Sequence, residues 1–308
     1  MPLPAWRRQW HRAQGHAAGL SPTVRGLLWS TAAGALFVLL NALMRALALQ
    51  LDPFQAQFLR YFFALLLMLP LLLRGGLAAW WPNQVGGQFS RGLLHAVGLT
   101  LWFVALPRIP LADTTAIGFT TPIFIMFGAW LVFKEPMRWE RWLAAGIGFG
   151  GVMIVVGPKL SGAGGGYNLV MLASAPLFAA SFLLTKALTR HERTGVILLW
   201  QAITVSLFSL PMALAHWQPL TLVQALGFTM CGLLGNAGHF CLTRSYRVAD
   251  ISATQSVKFL DLVWAAMLGW VAFGDVPSQS TLIGGAVICA ATLWNARRES
   301  TAAQRAAN

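Results

Sequence analysis

Two charged residues one helical turn apart, Lys258 and Asp261, stand inside a stretch that is otherwise apolar enough to cross a bilayer, RVADISATQSVKFLDLVWAAMLGWVAFGD, residues 247–275. In hydrocarbon such groups cost about 2.5 to 3.5 kcal/mol each at the centre of a spanning helix, so they face a partner or a water-filled cavity. Two chemistries fit. In one, the residues form a structural ion pair in which each makes the other tolerable. In the other, Asp261 accepts and releases a proton while Lys258 binds an anionic group of a cargo. Residues 250–273 are expected as one spanning helix, on which Thr254, Lys258, Asp261 and Ala265 share a face, and that face is a candidate cavity wall. Arg60, with Tyr61 beside it, lies deep enough in the second apolar run to face the same interior. Asn41, Thr114 and Thr121 add polar groups, and Trp102 and Trp200 offer planar surfaces on which a cargo could stack. Pro122 lacks an N–H and is expected in mid-helix, where it would bend the helix and serve gating or packing. His95 and His239 could relay protons or pack as hydrogen-bonded core residues. Arg45, near the end of the first run, reads as a snorkelling side chain.

These residues need a membrane-embedded frame, and the composition supplies one. Of 308 residues, 57% are hydrophobic and only 10% charged, whereas soluble domains carry about a quarter charged residues. Ten apolar runs of near-spanning length are predicted as helices, at 26–49, 54–73, 89–107, 112–133, 141–157, 168–188, 196–214, 222–243, 250–273 and 279–296. The first run exceeds the 7 to 15 residues or so of a signal-peptide core and reads as a spanning helix. The net charge of +13 would suggest nucleic acid in a soluble protein. Here the basic residues cluster in short connectors, the pattern of cytoplasmic loops. With the N-terminus placed in the cytoplasm, only Arg108 and Lys159 of the 22 lysines and arginines fall outside, while Arg45, Arg60 and Lys258 lie within helices. Both termini are therefore expected in the cytoplasm. The three cysteines show no disulfide or metal spacing.

The chain also repeats itself. A shift of 140 residues carries Gly92, Gly98, Thr114, Phe119, Trp130 and Phe133 onto Gly232, Gly238, Thr254, Phe259, Trp270 and Phe273, and Glu135 onto Asp275. It also sets Gly118 and Thr121 opposite Lys258 and Asp261, and Asn41 opposite Ser181. Because each unit holds an odd number of helices, the second copy must enter the membrane upside down. Inverted repeats are a signature of alternating-access carriers with a site near mid-membrane. The implied divisions are a basic arm (1–25), a first repeat (26–158), a glycine-rich linker (159–166), a second repeat (167–296) and a tail (297–308).

The segments ALPRIPLADTTAIGFTTPIFIMFGAWLVFKEP (105–136) and SYRVADISATQSVKFLDLVWAAMLGWVAFGDVP (245–277) resemble the tandem EamA domains of the drug/metabolite transporter superfamily. The resemblance covers residues 26–296. It implies an all-α integral membrane fold of ten transmembrane helices in two inverted five-helix repeats, with a central cavity between them. It also implies cargoes ranging from amino acids to cofactors and nucleotide-like metabolites. Asp275 replaces the usual glutamate, and Leu262 stands where the first copy has Pro122, leaving one of the paired helices without a built-in kink.

The function expected is secondary transport of a small organic metabolite across the inner membrane by alternating access, with a proton gradient acting through Asp261. The excess of intramembrane cations favours an anionic or zwitterionic cargo such as an amino acid, a carboxylate or a vitamin-like compound. Two rivals are a proton-driven exporter of lipophilic cations, which would need an unpaired Asp261, and a membrane-embedded enzyme, for which no nucleophile motif or ligand cluster is evident. No cofactor, metal or nucleic-acid partner is expected. Gly146 and Gly150 form a GxxxG pair in the fifth helix, and Gly284 and Gly285 lie in the tenth, surfaces suited to contact within the chain or in a homodimer.

Overall fold

The computed structural model describes residues 20–48, 50–108, 117–136, 138–161, 165–273 and 276–307. Among them there are ten α-helices and no strands. They are α1 (Pro22–Ala48), α2 (Pro53–Gly75), α3 (Val85–Ala105), α4 (Thr121–Phe133), α5 (Trp139–Val156), α6 (Gly166–Leu188), α7 (Thr194–Ala215), α8 (Leu222–Val248), α9 (Leu260–Phe273) and α10 (Gln279–Ala307). Six helices, α1, α2 and α5 to α8, are long and apolar enough to cross a membrane, and α4 is a shorter apolar helix. Local signals set several boundaries. The Asp52 carboxylate accepts the Phe54 amide and Pro53 opens α2, while Thr221 and Gln224 form a reciprocal capping box that starts α8.

The two halves of the chain interlock. α3 packs on α6 and α7, while α8 packs on α1 and α2; α2 meets α7, and α5 meets α10. Glycines permit the closest approaches. A side chain at Gly92 would collide with Thr204 of α7, and one at Gly232 with the backbone of Phe63 and Ala64 in α2. Gly98 lies against Leu177 and Phe178 of α6, and Gly238 against Phe37 of α1. The large apolar side chains left exposed, among them Leu66, Leu71, Phe127, Leu131 and Val132, form the surface that lipid would cover.

Three expectations are corrected. The segment expected as one helix over 250–273 is broken: Ser252–Phe259 is a buried 3-10 helix, and α-helical geometry begins at Leu260. At about 3.0 residues per turn, Thr254 and Lys258 no longer share a face. This region carries few helix-favouring side chains, and Thr254 and Gln255 both turn back to the Ile251 carbonyl, at 2.7 Å each. α10 fixes the segment from outside: Asn295 donates to the Ser256 hydroxyl at 2.9 Å and Thr292 to its carbonyl at 3.2 Å. Non-α backbone is tolerated at membrane depth only where protein buries it in this way. The second copy thus acquires its break without a proline.

Pro122, expected in mid-helix, stands in the first turn of α4. The chain turns before it, with Thr120 hydrogen-bonded to the Ile117 carbonyl through both its amide (3.0 Å) and its hydroxyl (2.6 Å). A proline there forfeits no intrahelical bond. Finally, α3 starts at Val85 rather than 89, which carries Arg91, expected at the cytoplasmic edge of the helix, about two turns into it, where it is 1% exposed.

Candidate functional site

Lys258 lies in the last turn of the 3-10 segment and Asp261 in the first turn of α9, so the pair straddles the break in the helix. The ammonium lies 3.4 Å from the carboxylate, with the side chains 18% and 26% exposed. The pair packs on α1. Asp261 rests against the Cα of Gly34, where any side chain would collide with its carboxylate. Lys258 lies over the Phe37 ring, 5.4 Å from its centroid.

On the far side of Phe37 is His239 of α8, 5.0 Å away between ring centroids. It opens a buried polar network that the sequence does not announce. Gln201 of α7 reaches His239 Nε2 at 3.4 Å and accepts a 2.6 Å bond from Arg91. Arg91 also donates to the Thr185 hydroxyl of α6 at 2.6 Å and to the Ile197 carbonyl of α7 at 2.9 Å. All three acceptors are neutral, so a guanidinium is held in the bundle with no carboxylate paired to it among the described residues. Hydrogen bonds to a charged donor are worth about 1.5 to 3 kcal/mol each and offset part of its desolvation. His95, on the next turn of α3, meets the Tyr61 hydroxyl at 2.7 Å and the Ser181 hydroxyl at 3.3 Å. The two imidazoles are 5.8 Å apart between centroids.

This network borders a central cavity lined by Arg60 and Tyr61 of α2, Gln201 of α7, and Gly235, Asn236 and His239 of α8. Arg60 is half-buried, 5.0 Å over the Tyr61 ring, and Asn236 donates to the Ala64 carbonyl at 2.9 Å. The cavity measures about 10 Å³, which is room for about one water.

The structure thus sets Lys258 and Asp261 against α1 and Arg60 on the cavity, with Phe37 and His239 between them. Other expected site residues are placed elsewhere. Thr254 is buried with its hydroxyl bonded locally. Asn41 is exposed on α1, and Trp102 packs edge-on to Phe103 in the apolar core; neither lines the cavity. Thr121 is half-buried at the start of α4. Thr114, Asp275 and the side chain of Arg45 lie outside the described residues. Trp200 donates to the Trp80 carbonyl at 3.0 Å and packs with Trp81 and Phe89, committing it to a structural contact. Among the described residues, no group of three or more His, Cys, Asp and Glu could hold a metal ion.

A second polar cluster clasps the halves together at one end of the bundle. The buried Glu135 carboxylate, just past α4, accepts the amides of Ile251 and Ser252, each at 3.0 Å, and the Ser252 hydroxyl at 2.5 Å. It caps the 3-10 segment with negative charge where free N–H groups point. Arg141 of α5 reaches Glu299 (2.8 Å), Ser252 (2.7 Å) and Asp250 (3.0 Å), and Arg138 joins Glu299 at 3.0 Å.

An all-helical, multi-pass membrane fold with a buried polar centre and so small a cavity has the build of a carrier. Comparison with known proteins gives the family. Residues 24–157 and 166–297 each match the EamA-like transporter family, and the chain belongs to it, in two tandem repeats. It is 35% identical to a riboflavin transporter of Rhizobium johnstonii over 91% of this chain and 93% of that one. It is 27% identical to an S-adenosylmethionine uptake transporter of Rickettsia prowazekii, covering 89% of this chain and 93% of the relative. A solved crystal structure shares the fold with a TM-score of 0.76 at 18% identity, over 89% of this chain and 98% of the other.

Proposed function

We propose that this protein is a secondary transporter of the inner membrane that moves a small, vitamin-like metabolite, with riboflavin the first candidate, by alternating access. The observation that carries the reading is a buried polar centre in which Arg60 lines one small cavity, Arg91 lies behind its Gln201, and the Lys258 and Asp261 pair is linked to its His239 through Phe37. Such a centre is rich in donors. The carbonyl-rich isoalloxazine ring of riboflavin can accept from Arg60 and Lys258, and its hydroxylated chain can bond Gln201 and Asn236. Thr121 and, beyond the described residues, Thr114 are further candidate contacts. Relatives named for riboflavin and S-adenosylmethionine support a metabolite cargo.

In this reading ten helices span the membrane as two inverted repeats, 26–158 and 167–296. The reciprocal packing of α3 on α6 and α7 and of α8 on α1 and α2 supports that symmetry. So does the pairing of Gly98 with Leu177 and of Gly238 with Phe37, which the shift of 140 residues relates. The basic connectors support a cytoplasmic position for both termini and the Glu135 clasp. The cavity is too small for any metabolite, so cargo enters only when the helices part. The Glu135 and Arg141 contacts are the bonds that must break on the cytoplasmic side. Asp261 is the proton-coupling carboxylate, released from Lys258 when cargo or a proton takes its place. Lipophilic-cation export fits less well, because Asp261 is paired with Lys258 and a guanidinium lines the cavity. A Cβ at Gly146 or Gly150 would meet nothing within 4 Å among the described residues, while Gly151 and Gly284 pack α5 on α10. A homodimer would use the first two.

A thermal-shift panel on the purified protein tests the cargo. A ligand that binds only the folded state raises Tm by mass action. Riboflavin should stabilise wild type and lose that effect in Arg60→Gln and Lys258→Gln. Stabilisation by lipophilic cations alone, lost only in Asp261→Asn, would replace the metabolite reading with drug export.

A further inference from the structure

A cleft of about 400 Å³ opens at the ends of α4, α6 and α8, lined by Lys134, Lys186, Arg190, Arg247, Glu135 and Asp250. Both acids are already hydrogen-bonded, Glu135 by the Ile251 and Ser252 amides and Asp250 by Arg141, and although both also act on the Lys186 charge the four cations outnumber them. None of the four cations is ion-paired among the described residues. Two of them are held in place by backbone. Lys186 donates to the Tyr246 and Ala249 carbonyls, at 2.7 and 2.5 Å, at the negative end of α8, and Arg247 donates to the Thr189 and Glu192 carbonyls. These bonds orient the charges without neutralising them. Lys134 and Arg190 are exposed, Arg190 over the Phe133 ring at 5.4 Å. Lys134 has φ 56°, the one positive φ at a non-glycine among the described residues. Its own amide and that of Glu135 both return to the Ala129 carbonyl, which holds the turn at the mouth of the cleft. Strained residues of this kind concentrate at ligand sites.

Apolar side chains adjoin the cleft: Phe133 lines it, and Phe127, Trp130, Leu131 and Val132 are exposed on the preceding turns of α4. A soluble anion would use the cations and leave these side chains bare, whereas a phospholipid engages both.

We propose that this cleft binds the headgroup of an anionic phospholipid, with its phosphodiester among Lys134, Lys186, Arg190 and Arg247 and its acyl chains along the exposed face of α4. Basic pockets between membrane helices suit such headgroups. The inference rests on the multi-pass fold and is independent of the cargo.

The test is the Tm of the full-length protein in detergent on titration with phosphatidylglycerol, phosphatidylcholine or inorganic phosphate. It uses wild type, the double variant Lys134→Gln/Arg190→Gln and the distant control Arg297→Gln/Arg298→Gln. Phosphatidylglycerol should raise the wild-type Tm by several degrees more than phosphatidylcholine. The double variant should lose at least half of that gain, the control should keep it, and inorganic phosphate should not reproduce it. Equal effects of the two lipids, an undiminished gain in the double variant, or an equal loss in the control would overturn the proposal. So would a matching rise with inorganic phosphate, which would make the cleft a soluble-anion site.

Discussion

The carboxylate of Asp261 rests against the bare Cα of Gly34. The only acidic side chain so placed in α9 therefore has its position set by a missing side chain on α1, and Lys258 completes the arrangement from the 3-10 segment.

Gly34→Ala should displace Asp261 and cost about 1 to 3 kcal/mol, the usual penalty of overpacking, with transport lost beyond what the fall in stability explains. Gly146→Ala, which meets open space, should change Tm by less than a degree or two. Melting curves and uptake assays on the two variants check this; equal behaviour would show that the Gly34 contact does not position the carboxylate.

Glu135→Ala removes the cap from the 3-10 segment. Loss of a cap costs about 0.5 to 2 kcal/mol, so hydrogen exchange at Ile251 and Ser252 should accelerate by about twofold to thirtyfold. Glu135→Gln, which keeps an acceptor, should fall between. Unchanged protection in the alanine variant would mean that α10 alone holds the segment.

Arg91→Ala leaves Thr185, the Ile197 carbonyl and Gln201 without their donor. A buried polar group left unsatisfied costs about 1 to 3 kcal/mol, and denaturant unfolding should register a loss of at least that size. Arg91→Met, which fills the space but restores no bond, should recover only part of it.

The Lys258 and Asp261 pair is legible from sequence because charge in an apolar run has few excuses. Arg91 is not, because a basic residue near the edge of a run reads the same whether it belongs to the connector or to the first turns of the helix. Gly86, Gly87 and Gln88 disguise where α3 begins. The break at Ser252–Phe259 is hidden for a related reason: its cause is the pull of Glu135, Asn295 and Thr292, residues far away in the chain. Pro122 advertised a kink, yet position within the helix decides what a proline does, and the turn at Ile117–Thr120 places it at a start. The meeting of His95, Tyr61, Gln201 and His239 depends on four helices and has no local signature. The apolar helices and the tandem organisation need only hydropathy and spacing; six of the described helices are long and apolar enough to cross a membrane, and the family match covers both repeats.

The most direct measurement is uptake of radiolabelled riboflavin into proteoliposomes under an imposed proton gradient, comparing wild type with Asp261→Asn. Wild type should accumulate riboflavin against its concentration gradient. Asp261→Asn should lose accumulation while keeping exchange of labelled for unlabelled riboflavin, because the cargo contacts survive and only the proton site is gone. No riboflavin flux through wild type, or undiminished accumulation by Asp261→Asn, would contradict the cargo in the first case and the coupling role of Asp261 in the second.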